Sequence, residues 1–247
     1  MKSKEIFNLP ATTYLKKYVF RLFFEKLTSK NNINFFLRSN DIISTDPILF
    51  DSHEEHILNL YKKSSEEGYD DFFIDIGANI GLSSILVEKH FKKIIAFEPN
   101  PLVFKILEVN FASNVNSDKF TLNNFGISNE DSSATLRIPK HNWGGAHVID
   151  ELNTYSDDVL IKKDGFKEFN SDNYIESRID LKNGEDCFRN LFNNLKANNL
   201  LNGFIKIDVE GFEESVLHEL SKAIPNDIKL LIIFENWNEN FDTELIK

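Results

Sequence analysis

Apolar positions recur along this chain with two periods, and the switches between them mark out its elements. Phe72–Ile76 (FFIDI), Lys93–Glu98 (KIIAFE), Phe120–Phe125 (FTLNNF), Phe204–Val209 (FIKIDV) and Lys229–Glu235 (KLLIIFE) are short, nearly continuous apolar runs that read as buried strands. Between them, Ile80–Phe91, Leu102–Asn114, Phe188–Asn198 and Glu213–Ala223 carry apolar residues at helical spacing. Such alternation predicts an α/β fold of Rossmann-like order, with a mostly parallel central sheet covered on both faces. Ala134–Ile138 and Ile175–Leu181 read as extra strands flanking a polar stretch, 139–173, of a length that suits a lid or binding loop.

Upstream the pattern changes. In residues 12–28 (TTYLKKYVFRLFFEKLT), Leu15, Tyr18, Val19, Leu22, Phe23 and Leu27 fall on one helical face, with Lys16, Lys17, Arg21 and Lys26 largely opposite. Such a helix packs on the main domain, or on a second copy in a homodimer, or rests on anionic lipid as a peripheral membrane contact. Residues 51–63 read as another short helix, ending near Gly68. The expected organisation is an N-terminal helical extension over 1–68 and one main domain over 69–247.

Charge narrows the partners. The net charge of −11 over 247 residues is uneven: residues 1–38 carry +6 and the remainder −17. An acidic body repels a phosphate backbone, so nucleic acid is not an expected partner. Cys187 is the sole cysteine, which excludes an intramolecular disulfide and suggests a reducing, cytoplasmic setting. There is no apolar run of leader type, and none approaches the ~18 residues of a membrane span.

The first strand runs into Asp75-Ile-Gly77-Ala-Asn79-Ile-Gly81, and Glu98 closes the second strand. Glycines at this turn let a ligand approach the backbone, and a carboxylate at the second strand end accepts hydrogen bonds from ribose hydroxyls. A dinucleotide fingerprint needs a middle glycine where this chain has Asn79. Asp75 before the first glycine would repel a pyrophosphate and suits the cationic amino group of a methionine moiety, or waters around it. A nicotinamide-dependent oxidoreductase is disfavoured on both counts.

With FIDIGANIGLSS (73–84), AFEPNP (96–101), NNFGISNEDSSATL (123–136), the NWGG turn (142–145) and FIKIDVEGFEESVL (204–217), the sequence resembles the FkbM-type methyltransferases. The resemblance implies a class I methyltransferase fold using S-adenosyl-L-methionine, and O-methylation of a sugar, a glycan precursor or another small hydroxylated metabolite. It also implies that Asp75, Gly77, Asn79 and Gly81 line the methionine and sulfonium side and that Glu98 binds the ribose. Asn124 to Gly126 would lie by the adenine, and Asp208 with Glu210 would face the transferred methyl group. The usual fold of this class adds two strands after the fifth. About a dozen residues follow that strand here, so the closing strands are lost, or the polar middle region or a partner supplies an edge.

The residues themselves leave roles open. Asp208 lies at a strand's carboxyl end, where α/β sheets place ligands, and either takes the acceptor's proton, orients the acceptor, or caps the next helix with Glu210. His147, and less so His141, flank the NWGG turn as alternative bases. Glu235, Asn236 and Trp237 follow the fifth strand and offer hydrogen bonds and an apolar platform to a sugar. No His/Asp/Cys spacing demands a metal. A non-sugar acceptor and a catalytically silent scaffold are the alternatives to a sugar O-methyltransferase.

Overall fold

The computed structural model describes residues 15–20, 22, 35–38, 41–44, 55–149, 153, 159, 161, 167–236 and 241. In chain order its helices are α1 (Glu55–Glu66), α2 (Leu82–Leu86), α3 (Pro101–Asn114), α4 (Gly184–Ala197) and α5 (Glu213–Ala223). The strands are β1 (Phe72–Ile76), β2 (Lys93–Phe97), β3 (Phe120–Asn123), β4 (Gly126–Ser128), β5 (Ser132–Pro139), β6 (His147–Val148), β7 (Tyr174–Asn183), β8 (Asn202–Ile207) and β9 (Lys229–Phe234).

Five of them form one sheet in the order β3-β2-β1-β8-β9, with every neighbouring pair parallel. This is the Rossmann-like arrangement that the alternating pattern predicts. The strand order reverses at β1, and ligands settle in the crevice outside the strand ends at such switch points. Alternation along each strand supplies both cores. Phe72, Ile74, Ile76, Ile205 and Ile207 face α4 and α5, meeting Phe188, Phe192, Val216 and Leu220. Phe73, Ile94, Ala96 and Phe204 face the other way, against Leu107 and Phe111 of α3 and Tyr61 of α1. The Tyr61 ring stands edge-on to Phe73 and Phe204 at 5.1 and 5.0 Å, so α1 shares the core of the sheet.

The helix expected over Ile80–Phe91 is shorter than its spacing suggests. Gly81, at φ 89°, starts α2; the helix stops at Val87, and a 3-10 turn, Glu88–His90, completes the connection. Asn100 starts α3 firmly, its side chain accepting from the Leu102 amide with Pro101 in the first turn.

The middle region does not extend the main sheet. It builds a second one, β4-β7-β5-β6, in which β5 and β7 pair antiparallel from Ser132↔Leu181 to Pro139↔Tyr174. Leu136, Ile138, Val148, Ile179 and Leu181 make its core with Phe212. Among the described residues β9 remains the outer strand of the main sheet. The helix at residues 15–20 does not lay its apolar side chains on the domain: Leu15, Tyr18 and Val19 are 63%, 60% and 55% exposed. Among the described residues, no helix is long and apolar enough to cross a membrane.

Candidate active site

The crevice at the switch point holds a cleft of about 1020 Å³, the open solvent at its mouth included. Gly77, Ala78 and Asn79 after β1, Glu98 and Pro99 after β2, and Lys206, Asp208, Val209 and Glu210 at the end of β8 form its floor and sides. The second sheet contributes an apolar wall of Leu136, Val148, Ile179 and Leu181. Trp143 and Ile43 also line it, as do Phe125, Gly126 and Ile127.

Gly77 is fixed by a backbone contact. It adopts φ 83°, and a Cβ there would lie 1.8 Å from the Asp208 carbonyl oxygen. The loops after β1 and β8 therefore touch main chain to main chain, with the Asp208 amide donating to Ile76 O at 2.9 Å. Gly81 is equally confined, by Leu107, Ile85 and Phe111.

Asp75 is not on the cleft wall. It is fully buried, and its register partner across β8 is Lys206. Ser84 Oγ donates to Asp75 Oδ2 at 2.5 Å, and Lys206 Nζ donates to Asp75 Oδ1 at 3.2 Å. The same ammonium reaches Gly77 O at 3.1 Å and Asp208 Oδ2 at 3.2 Å. Burial lowers the Lys206 pKa, but Asp75 and Asp208 more than offset this and hold it above the usual lysine range. Lys206 thus stands where Asp75 was expected to meet a ligand. The residue sits mid-strand among buried neighbours, where a lone charge requires a partner of opposite sign.

Glu98 does face the cleft. Its Oε1 accepts from the Asn100 amide at 2.7 Å and its Oε2 from the Asn79 amide at 2.9 Å, which fixes the carboxylate at the end of β2. Burial pushes its pKa up to about 7, against the two amides and the Lys206 charge, which pull it down. Asn79 takes the left-handed conformation, φ 52°, tolerable for asparagine. Its side chain lies against Gly144, where a Cβ would come within 2.6 Å of Nδ2. Asn79 Oδ1 and Trp143 Nε1 are buried and meet no hydrogen-bond partner among the described residues. Groups left so cost roughly 1–3 kcal/mol each.

Asp208 and Glu210 line the cleft where its wall turns acidic, and neither caps α5. Glu213, the first residue of α5, instead reaches back into the loop and accepts from the amides of Val209 at 3.1 Å and Gly211 at 3.0 Å. Glu213 is buried, which raises its pKa while those amides oppose the rise. By gathering the loop it holds Glu210 at φ 52° and Gly211 at φ 101°. Glu235, at the end of β9, joins them: Asp208, Glu210 and Glu235 offer oxygens within 4.8 Å of one another. The sequence reading had no such cluster, because its members meet only when β8 and β9 end side by side.

Other expected residues lie elsewhere. On β6, Val148 pairs with Leu136 and faces the cleft, so His147, paired with Arg137, points the opposite way. His147 is buried there with Nδ1 3.2 Å from Gly145 O, away from any base position in the cleft, and His141 is not on the wall either. Asn124 spends its amide on Glu98 O at 2.7 Å and so holds the loop after β2 from behind. Gly126 does line the cleft, pressed against Leu181. Asn236 is exposed beyond β9, and Trp237 lies outside the described residues. Lys206 and Glu213 were not singled out from sequence. Their signals were a single lysine in an apolar strand whose neighbour carries a single aspartate, and an acid opening a helix after glycine.

A model of the methyltransferase FkbM domain matches residues 75–245. The chain belongs to this family. It is similar to Methyltransferase sdnD of Sordaria araneosa, 28% identical over 173 residues, covering 67% of this chain and 66% of that protein. It is also similar to Methyltransferase 1 of Beauveria bassiana (strain ARSEF 2860), 29% identical over 153 residues, covering 61% and 59%. The matches thus span 66% and 59% of these curated relatives' own lengths. Among solved structures, precorrin 8W decarboxylase from Methanobacterium thermoautotrophicum aligns with a TM-score of 0.35 at 10% identity, over 72% of this chain and 61% of that one. So slight a likeness adds nothing to the topology of this FkbM domain.

Proposed function

We propose that this chain is an S-adenosyl-L-methionine-dependent O-methyltransferase acting on a hydroxyl of a sugar or glycan precursor. The observation that carries the cofactor reading is Glu98, fixed by the amides of Asn79 and Asn100 and turned into the cleft at the sheet's switch point. Its remaining lone pairs suit the two hydroxyls of a ribose. Gly77 and Asn79 would flank the methionine end, and Gly126 the base, beside apolar Phe125 and Ile127. S-adenosyl-L-methionine supplies a methyl group on a sulfonium, open to in-line attack by a hydroxyl. For that attack the chain supplies orientation and a proton acceptor. Asp208 is placed to take the hydroxyl's hydrogen bond, held by Lys206 on one carboxylate oxygen. Glu210 and Glu235 add acceptors that suit neighbouring sugar hydroxyls.

A non-sugar small metabolite is a second reading, favoured by the apolar wall of Leu136, Val148, Ile179 and Leu181. Calorimetric titration with S-adenosylmethionine, S-adenosylhomocysteine and NADH tests the cofactor. Micromolar binding of the first two supports it, and binding of NADH alone would sink it. Transfer of labelled methyl to panels of nucleotide sugars, glycosides and non-sugar alcohols then separates the two acceptor readings.

A further inference from the structure

The family match begins at Asp75, yet part of the cleft is roofed by residues well before it. Phe36 is tied to Asn110 through both backbone groups, its amide donating at 2.6 Å and its carbonyl accepting at 3.3 Å. The same Asn110 side chain donates to Ile80 O at 2.8 Å, so one buried amide stitches the segment to the loop before α2. Arg38 then crosses to the NWGG turn. Its guanidinium lies 4.1 Å from the centre of the Trp143 ring, its Nε pairs with Asp41 Oδ2 at 2.7 Å, and its Nη2 donates to Lys140 O at 2.8 Å. Asp41 Oδ2 also accepts from the Trp143 amide at 3.3 Å, and Ile43 reaches the cleft.

Two buried atoms without a hydrogen-bond partner among the described residues belong to this corner: Trp143 Nε1, on the ring that Arg38 covers, and Asn79 Oδ1, on the side chain that lies against Gly144. One can only donate and the other can only accept. A ligand end that offers an acceptor and a donor side by side would satisfy both, and an α-amino-acid zwitterion does so with its carboxylate and ammonium. The base would take another part of the cleft, by Pro99, Phe125 and Gly126, which the strap does not touch in any described contact.

We propose that residues 35–38 and 41–44, with the Trp143 turn, close over the amino-acid end of the ligand. In that closure the Trp143 indole N–H donates to the carboxylate and Asn79 Oδ1 accepts from the ammonium. The proposal rests on the S-adenosylmethionine reading above. Both atoms are shut from solvent, so the strap lifts to admit the ligand. The contacts that Arg38 makes across to the Trp143 ring and to Lys140 O are the latch that sets how quickly it opens.

The test compares S-adenosylhomocysteine with 5′-methylthioadenosine, which keeps the nucleoside and lacks the amino-acid end. Trp143→Phe is expected to weaken S-adenosylhomocysteine about 10-fold, equivalent to about 1.4 kcal/mol, and to leave methylthioadenosine unchanged. Equal weakening of both ligands, or of neither, would overturn the clamp. Arg38→Met keeps the indole and loosens the latch, so stopped-flow dissociation of S-adenosylhomocysteine should speed up about 2–5-fold. An unchanged dissociation rate would overturn the latch. If the wild-type protein binds neither nucleoside, the cofactor reading itself has failed, an outcome distinct from all of these.

Discussion

Glu98 makes ligand binding depend on pH in a way that follows from its surroundings. The carboxyl is 8% exposed and titrates near pH 7 in the free protein, because burial penalises its charge more than two amides and Lys206 favour it. Ribose hydroxyls donate to the ionised form, so binding lowers this pKa and must expel a proton wherever Glu98 begins protonated. Affinity is therefore full above pH 7 and falls as pH drops through it. With a pKa of about 7, the ionised fraction goes from about 0.9 at pH 8 to about 0.09 at pH 6, and apparent Kd rises about tenfold. Methylthioadenosine is the cleanest probe, since it carries the ribose and no amino-acid charges. Calorimetry in buffers of different ionisation enthalpy should count roughly half a proton released per ligand at pH 7. Glu98→Gln, which cannot titrate, should bind more weakly and without the slope. A flat Kd between pH 6 and 8, proton uptake, or an unchanged slope in the variant would refute the reasoning.

Three further outcomes are expected. Gly77→Ala drives a methyl group into the Asp208 carbonyl and should cost about 3 kcal/mol or more, read as a lowered urea midpoint together with lost nucleoside binding. Lys206→Met strands the buried Asp75 charge and should destabilise by about 3–5 kcal/mol. Asp75→Asn added to it should recover most of the loss, and a single-variant cost below about 1 kcal/mol would show the pair to be dispensable. The open apolar face near the N-terminus, with Lys16 and Lys17 beside it, predicts co-sedimentation with anionic vesicles but not neutral ones. Leu15→Asp with Val19→Asp should abolish it, and retention by the variant would point away from a lipid surface.

Much of the sheet was legible because β1, β2, β8 and β9 are apolar runs set between helix-spaced stretches, a pattern that admits few topologies. The places of Gly77 and Glu98 on the cleft were legible because each follows directly from a strand end. What stayed hidden depends on contacts between distant segments. Asp75 appeared free to meet a ligand until Lys206, 131 positions later, came alongside in register. His147 appeared catalytic because it neighbours the NWGG turn, whereas its pairing on β6 turns it outward and Val148 inward. The second sheet was half visible: two of its strands could be read, but not that they wall the cleft rather than extend the main sheet. The strap was invisible, since a polar, loop-like stretch gives no sign of where it docks.

The contact between Gly77 and the Asp208 carbonyl bears on how this family can diverge. Most packed pairs permit exchange, a larger side chain on one side answered by a smaller one on the other, and such exchanges appear as correlated change between positions. Here the partner of Gly77 is main chain, which has no smaller version of itself. Position 77 should therefore stay glycine across relatives that keep this geometry, while showing no correlation with position 208. Methods that infer contacts from paired substitutions would miss the place where the two ligand-bearing loops touch most closely.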